Sequence, residues 1–139
     1  MGVRILRSEM ITEERPRLWF DGGSIFKDGA CIASSDSDTY ARAARFALEG
    51  KPLYGKTVAW IGGGLCIGPL LFSLLGCGQT IYELEPELLE FCPPGALFMA
   101  GDWKDMITGH FDVIVYDLGG EVPSVLLSRF LNEGGKILS

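Results

Sequence analysis

The sequence has few of the residues that build metal and redox sites. It contains one histidine, His110, and four cysteines, Cys31, Cys66, Cys77 and Cys92, with no C-x-x-C pair among them. Because a zinc site needs several histidine or thiolate ligands at regular spacing, we expect no metal site. The cysteines stand in apolar surroundings and are predicted to be reduced core residues of a cytoplasmic protein.

Basic residues are also fewer than acidic residues. The chain has 12 lysines and arginines against 18 aspartates and glutamates, which gives a net charge of −6 over 139 residues. An excess of negative charge repels a phosphate backbone, so the composition disfavours a nucleic-acid partner and suits a cationic one. No basic region followed by an apolar run opens the chain, so no secretion signal is predicted.

Charge is absent altogether from residues 57–82, between Lys56 and Glu83. An uncharged run of about 18 or more apolar residues is also typical of a membrane-spanning helix. Here the run is interrupted by Gly62–Gly64 and Pro69, and each glycine weakens a helix by roughly 1 kcal/mol relative to alanine. The run therefore predicts a buried strand, a glycine turn, a helix and a second strand, and no membrane segment.

The rest of the chain divides into a β-like part and an alternating part. Short apolar runs separated by Asp-Gly pairs over residues 18–35 predict hairpin strands, and the first sixteen residues are predicted to be an arm. The run Asp36-Ser37-Asp38 offers N-caps for a helix that Gly50 ends. The face of that helix is predicted to hold Tyr40, Ala43, Ala44 and Ala47.

From Lys56 onward, predicted strands and helices alternate. The predicted strands are 57–61, 80–84, 96–99, 112–116 and 135–138, and the predicted helices are 67–75, 86–91 and 122–131. Alternation of this kind implies an α/β fold with a mostly parallel, Rossmann-like sheet over residues 36–139, preceded by an arm and β-hairpin over 1–35. The apolar face of the helix over 67–75 is predicted to be Ile67, Leu70, Leu71, Leu74 and Leu75.

A glycine turn after a buried strand, with an acid about 20 residues further on, is what a nucleotide site of this fold needs. The dinucleotide pattern G-x-G-x-x-G fails by one position, because its last glycine falls at Gly68. The residues alone therefore favour an adenosine-like ligand with its ribose near Glu83. A tight structural connection that binds nothing stays open as the alternative.

Four motifs follow in order: Ile61-Gly62-Gly63-Gly64, Tyr82-Glu83-Leu84-Glu85, Gly101-Asp102, and the strand from Phe111 to Asp117. Together they resemble the spermidine synthase (aminopropyltransferase) branch of the class I S-adenosylmethionine-dependent transferases. A hairpin, an Asp-rich turn and Tyr40 precede the glycine motif at that family's interval, so the resemblance covers about residues 18–139. It implies S-adenosylmethionine or its decarboxylated form as cofactor, a small nucleophile such as a cationic amine as acceptor, and a homodimer.

The resemblance also implies a role for each motif. Gly62, Gly63 and Gly64 would lie under the methionine part of the ligand, and Glu83 would hold the two ribose hydroxyls. Asp102 would accept from the adenine amino group. Asp117 would be the catalytic residue that orients or deprotonates the attacking amine.

The chain departs from that family at acceptor-side positions. Leu65 and Cys66 stand where the glycine motif has an aspartate and a glycine, Gly120 replaces a second aspartate beside Glu121, and Ala41 replaces a glutamine. The family also continues past the position of Ser139 with further strands, so an open sheet edge is expected. These departures leave three hypotheses: an amine-alkylating transferase or a small methyltransferase, a non-catalytic adenosine binder, and a structural relative.

Each singled-out residue also has a plainer interpretation. Glu83 could be an acid at a wet strand end, Asp102 the cap of a short turn, and Asp117 an Asx-turn residue. The aromatic residues Tyr40, Trp60 and Trp103 are predicted to form core or pocket walls, and His110 is predicted to be solvated.

Overall fold

The computed structural model describes residues 6–7 and 18–139. Its first unit is a four-stranded sheet in the order β1-β2-β3-β4, formed by β1 (Leu6–Arg7), β2 (Leu18–Asp21), β3 (Ser24–Lys27) and β4 (Ala30–Ser34). Strands β2, β3 and β4 pair antiparallel, and β1 pairs parallel with β2. The predicted hairpin is confirmed, whereas the predicted arm, apart from β1, lies outside the described residues.

Helix α1 (Ser37–Gly50) follows this sheet. Of the three candidate N-caps, Asp36 is the one used: its carboxylate accepts from the Thr39 N–H at 2.8 Å. Its buried residues are Ala43, Phe46 and Gly50. The predicted face is therefore wrong at Tyr40, which is 58% exposed, and at Ala44, because Phe46 packs edge-on against Trp60 and sets the rotation of the helix.

The second unit is a five-stranded, entirely parallel sheet. Its strands are β5 (Thr57–Ile61), β6 (Gly78–Glu83), β7 (Leu97–Ala100), β8 (Phe111–Tyr116) and β9 (Leu131–Leu138), in the order β7-β6-β5-β8-β9. Helices α2 (Ile67–Leu74), α3 (Trp103–Met106) and α4 (Ser124–Ser128) and a 3₁₀ helix (Pro86–Phe91) connect them. The predicted Rossmann-like α/β fold is confirmed, and the strand order reverses between β5 and β8.

The predicted boundaries are wrong chiefly for the last helix and the last strand. Helix α4 is shorter than the predicted 122–131 and the last strand is longer than the predicted 135–138, because the chain joins the sheet as β9 already at Leu131. The pairing of β8 with β9 shifts between Phe111 and Val113. Residues 86–91 form a 3₁₀ helix instead of an α-helix. The 3₁₀ form is common in short helical connections of this kind.

The predicted apolar face of α2 points the wrong way. Gly68, Pro69 and Phe72 are buried, whereas Leu70, Leu74 and Leu75 are exposed, Leu74 to 79%. The ring of Phe72 packs edge-on against Trp60 with centroids 4.8 Å apart, and this contact decides which side faces the sheet. In the part of the chain that the structure describes, no helix has the length and apolar character needed to cross a bilayer.

The small sheet is fastened to the large one at its carboxyl-terminal edge. Leu18 and Ile25 of the small sheet form a buried cluster with Leu88 of the 3₁₀ helix. Beside this cluster the Lys27 ammonium donates to the Glu85 carboxylate at 2.7 Å. These contacts hold β4 over the ends of β5 and β6, where the candidate site lies.

All four cysteines are free thiols. Cys66 is buried and Cys77 and Cys92 are half-buried, but Cys31 is exposed, so the core prediction is wrong for Cys31. It lies on β4, an edge strand of the small sheet with exposed residues from Ala30 to Ile32. Trp60 and Trp103 are buried as predicted, and His110 is exposed.

Candidate functional site

A cleft of about 590 Å³ opens where the strand order reverses. Its floor is the glycine turn after β5, and its walls come from the ends of β6 and β8, from β4 and from the first turns of α1. In open parallel sheets, ligands bind in the crevice outside the carboxyl ends of the strands at such a point. The structure therefore brings Gly62, Gly63, Gly64, Glu83 and Asp117 together, as the sequence predicts.

The glycine turn has a backbone that side chains rarely adopt. Gly62 has φ +89° and Gly64 has φ +53°, both in the left-handed region. The turn is held to the sheet because the Gly62 N–H donates to the Tyr82 carbonyl at 2.8 Å. The result is a bare stretch of main chain facing the cleft.

Glu83 ends β6 and reaches back to this turn. Its Oε1 accepts from the N–H groups of Gly63 at 3.0 Å and Gly64 at 2.9 Å, and its Oε2 accepts from the Glu85 N–H at 2.9 Å. The residue is 8% exposed and lines the cleft. A carboxylate offers about four acceptor positions, so these three bonds leave room for one more donor.

Asp117 follows β8 on the opposite side of the turn. Its N–H donates to the Ile61 carbonyl at 2.9 Å, which ties it to the end of β5. Its Oδ1 accepts from Arg42 Nε, also at 2.9 Å. Burial raises the pKa of Asp117 above the ordinary value of 3.8, and the Arg42 guanidinium opposes that rise. A carboxylate of raised pKa at the edge of a cleft is suited to accepting a proton.

Asp102 does not join this group. It is the N-cap of α3, where its Oδ1 accepts from the Lys104 N–H at 3.0 Å, and its side chain is exposed. It is not among the residues that line the cleft. The capping interpretation describes its position, and the adenine-binding role stays a prediction.

The cleft carries an excess of negative charge. Five carboxylates line it, from Asp36, Asp38, Glu83, Glu85 and Asp117, against a single cation in the described lining, Arg42. Part of this charge serves the fold, because Asp36 caps α1 and Glu85 pairs with Lys27. The remaining field favours a ligand with positive charge.

The positions that depart from the resembled family have structural environments of their own. Leu65 packs against the buried cluster that joins the two sheets. Cys66 is the N-cap of α2, and burial raises the pKa of its thiol to about 12, so it stays protonated. Gly120 is exposed and lines a second cleft of about 410 Å³ beside Asp117, and Ala41 is exposed.

Sequence reasoning missed Arg42 and Gln79. Gln79 is buried, accepts from Trp60 Nε1 at 2.7 Å and donates to the Pro69 carbonyl at 2.8 Å, so it fastens the first turn of α2 to the sheet. The signal for Gln79 is a polar side chain within the uncharged run over residues 57–82. For Arg42 no local signal exists, because its partner Asp117 lies 75 residues further along the chain. Among the described residues, no group of three histidine, cysteine or carboxylate side chains is placed to hold a metal ion.

Comparison with protein-family models and with curated proteins gives no match. Several solved structures are similar in fold. A protein-L-isoaspartate O-methyltransferase is 20% identical with a TM-score of 0.64, over 96% of this chain and 46% of that one. A ribosomal protein L11 methylase from Lactobacillus delbrueckii subsp. bulgaricus is 19% identical with a TM-score of 0.61, over 96% and 72%.

A SAM-dependent methyltransferase from Thiobacillus denitrificans, in complex with S-adenosyl-L-homocysteine, is 18% identical with a TM-score of 0.60. The match covers 70% of this chain and 46% of that one, so the chain spans about half the length of two of these three proteins. Identities this low show a shared fold. The chain has the Rossmann-like fold of the class I methyltransferases, with a small N-terminal sheet added.

Proposed function

We propose that this chain binds S-adenosylmethionine and forms the donor site of a transferase. The observation that carries the proposal is the position of Glu83, at the end of β6 and against the bare glycine turn, inside the cleft where the strand order reverses. This is where the remaining acceptor position of the carboxylate can take a ribose hydroxyl of a nucleoside lying over the turn. The acidic lining suits the positive sulfonium.

Asp117 is the residue that we assign to catalysis. In the reaction, the lone pair of the nucleophile forms a bond to a carbon beside the sulfonium, the carbon–sulfur bond breaks, and sulfur keeps the electron pair as a neutral thioether. The nucleophile loses its proton to Asp117, whose pKa is raised by burial. The remaining work of the site is alignment of the two reactants.

We propose methyl transfer in place of the aminopropyl transfer of the spermidine synthase branch. Leu65 and Gly120 stand where that branch has acids, and the structurally similar proteins reported above are described as methyltransferases or a methylase. The acceptor that we propose is a small nucleophile, an amine above all, that enters beside Asp117. Asp102 would add an acceptor for the adenine amino group on the β7 side of the cleft.

A second function has one observation in its favour. Three of the acceptor positions of Glu83 are taken by backbone N–H groups, which is the pattern of a carboxylate that stabilises a turn. In a structural relative of the transferases that binds no nucleoside, these three hydrogen bonds would be the whole role of Glu83. The two functions differ in whether the folded chain binds a nucleoside.

Titration calorimetry separates them. We expect binding of S-adenosylmethionine, S-adenosylhomocysteine and methylthioadenosine to the folded chain, and heat from none of the three would leave only the structural function. Formation of a thioether product with a panel of amines then separates a transferase from a non-catalytic binder. Loss of turnover in Asp117→Asn with binding retained would assign the chemistry to Asp117.

The homodimer, the cytoplasmic location and the lack of a nucleic-acid partner remain part of the proposal. The strand β7 lies at an edge of the parallel sheet and exposes Leu97 and Met99, which makes it a surface for pairing. Sedimentation of the chain at increasing concentration tests the dimer. A chain that stays monomeric at all concentrations would rule out the homodimer and leave the proposed donor site unaffected.

A further inference from the structure

Arg42 is unusual among the residues around the cleft. It is the single cation in the described lining, among five carboxylates, and it comes from the first half of α1. Resting on the proposed function, we propose that Arg42 is a specificity-determining residue that selects a donor carrying an α-carboxylate. The donor is then S-adenosylmethionine and not its decarboxylated form.

The guanidinium of Arg42 is held in place but still has donors to offer. Its Nε donates to Asp117 Oδ1, and the side chain is 41% exposed and lines both clefts. A guanidinium has five N–H groups, and within the described part of the chain no hydrogen bond engages the terminal amino groups. A planar group fixed at one edge loses little freedom when a carboxylate binds its other donors.

The order of the strands in the sheet places Arg42 near the amino-acid end of the proposed ligand. Glu83 follows β6, the glycine turn follows β5 and Asp117 follows β8, and these three strands are neighbours in that order. Adjacent strands are about 4.8 Å apart, so the two acids are separated by roughly 10 Å across the turn. A nucleoside with its ribose at Glu83 extends its amino-acid chain across the turn towards Asp117 and Arg42.

The chemistry at that end distinguishes the two donors. S-adenosylmethionine ends in an ammonium and a carboxylate, which match a carboxylate such as Asp38 and the guanidinium of Arg42. The decarboxylated donor ends in an ammonium alone and leaves the terminal amino groups of Arg42 without an anion. Aminopropyl transfer consumes the decarboxylated donor, so the selection by Arg42 also favours methyl transfer.

The test is a comparison of four proteins by calorimetry: the wild type, Arg42→Ala, Arg42→Lys and Arg45→Ala. The ligands are S-adenosylmethionine, its decarboxylated form and methylthioadenosine, which lacks the amino-acid chain. Arg45 is the matched control, because it lies on the same helix, pairs with Glu49 and does not line the cleft.

We expect the wild type to prefer S-adenosylmethionine over the decarboxylated donor by about 10–100-fold, the effect of one charge-assisted hydrogen-bonded pair. Arg42→Ala should bring the two affinities within about threefold of each other, well below that effect, while methylthioadenosine binds as before. Arg42→Lys should keep part of the preference, and Arg45→Ala all of it. Unchanged binding of methylthioadenosine shows that the variant is folded.

Three results would overturn the inference. One is a wild type that binds the decarboxylated donor as tightly or more tightly, and another is an Arg42→Ala variant that keeps the wild-type preference. In both, nucleoside binding persists and the proposed function stands. The third is a folded wild type that binds none of the three ligands, which removes the proposed function and this inference together.

Discussion

The indole of Trp60 occupies the space beside Gly68 on α2. A Cβ on Gly68 would lie 2.8 Å from Cζ3 of that ring and would also overlap Cη2. The contact lets the first turn of α2 lie directly on β5, where Gln79 then joins the Trp60 indole to the Pro69 carbonyl. Because the glycine turn runs from β5 to α2, this packing fixes the floor of the cleft.

Gly68→Ala should therefore destabilise the chain. Alanine normally improves a helix, but here the added methyl group overpacks a buried ring, at a cost of about 1–3 kcal/mol in the free energy of unfolding. Gly78→Ala is the control, since nothing lies within 4 Å of a Cβ at that position. Urea denaturation measures both. Equal stability of the two variants would show that the Trp60 contact does not constrain α2.

A pH-dependent difference in stability is expected between the wild type and Asp117→Asn. Burial raises the folded-state pKa of Asp117 above 3.8, so the protonated form is favoured in the folded protein. The stability that Asp117 contributes relative to asparagine is fully present below its unfolded pKa and is lost as the pH rises through the folded pKa. Urea denaturation at a series of pH values measures this difference. A wild type that gains stability relative to Asp117→Asn as the pH rises would contradict this expectation.

Lys27→Ala should loosen the small sheet from the large one. The buried Glu85 carboxylate would lose its ion pair with the Lys27 ammonium at 2.7 Å. Breaking a fully buried ion pair costs about 3–5 kcal/mol, and we expect roughly 1–2 kcal/mol here because Lys27 is partly solvated. Hydrogen exchange of the amides in β3 and β4 should speed up. Lys104→Ala, at an exposed position on α3, should leave exchange in β3 and β4 unchanged, and a similar effect of both substitutions would argue against the ion pair.

The thiols should differ in their reactivity. Cys31 is exposed and lines the cleft, whereas burial raises the pKa of Cys66 to about 12, so Cys66 has almost no thiolate at neutral pH. Iodoacetamide followed by mass spectrometry should find Cys31 modified first and Cys66 unmodified. Saturating S-adenosylhomocysteine should slow the modification of Cys31. Early modification of Cys66 would contradict the burial of the turn.

The parts of the site that sequence could predict are those set by local chemistry. The three glycines and Glu83 lie about 20 residues apart on adjoining elements of one strand-turn-helix-strand unit, and such units have one favoured hand and one ligand edge. The alternation of apolar runs with helical segments predicted a parallel sheet in the same way. For these features the pattern and the physical cause lie in the same stretch of chain.

The parts that sequence did not predict depend on distant partners. Arg42 meets Asp117 across 75 residues and Lys27 meets Glu85 across 58, and no local pattern marks either pair. The leucines of α2 fit a helical period, but Trp60 accepts Gly68 and Phe72 and leaves Leu70 and Leu74 exposed. Tertiary packing against Trp60, and not the helical periodicity of the leucines, therefore determines which face of α2 is buried.

The central claim is that the Glu83 carboxylate holds a nucleoside over the glycine turn. Glu83→Gln replaces one acceptor oxygen with a donor, so it should lose both the ribose contact and part of the support of the turn. Glu90→Gln is the control, because Glu90 is exposed on the 3₁₀ helix and does not line the cleft. Circular dichroism checks that both variants are folded.

Titration calorimetry with S-adenosylhomocysteine tests this claim most directly. The wild type and Glu90→Gln should bind with the same affinity, and Glu83→Gln should bind at least about tenfold more weakly, as expected for loss of a hydrogen bond to a charged group. A folded wild type that takes up no S-adenosylhomocysteine, or a folded Glu83→Gln variant that binds it as tightly as the wild type, would contradict the account.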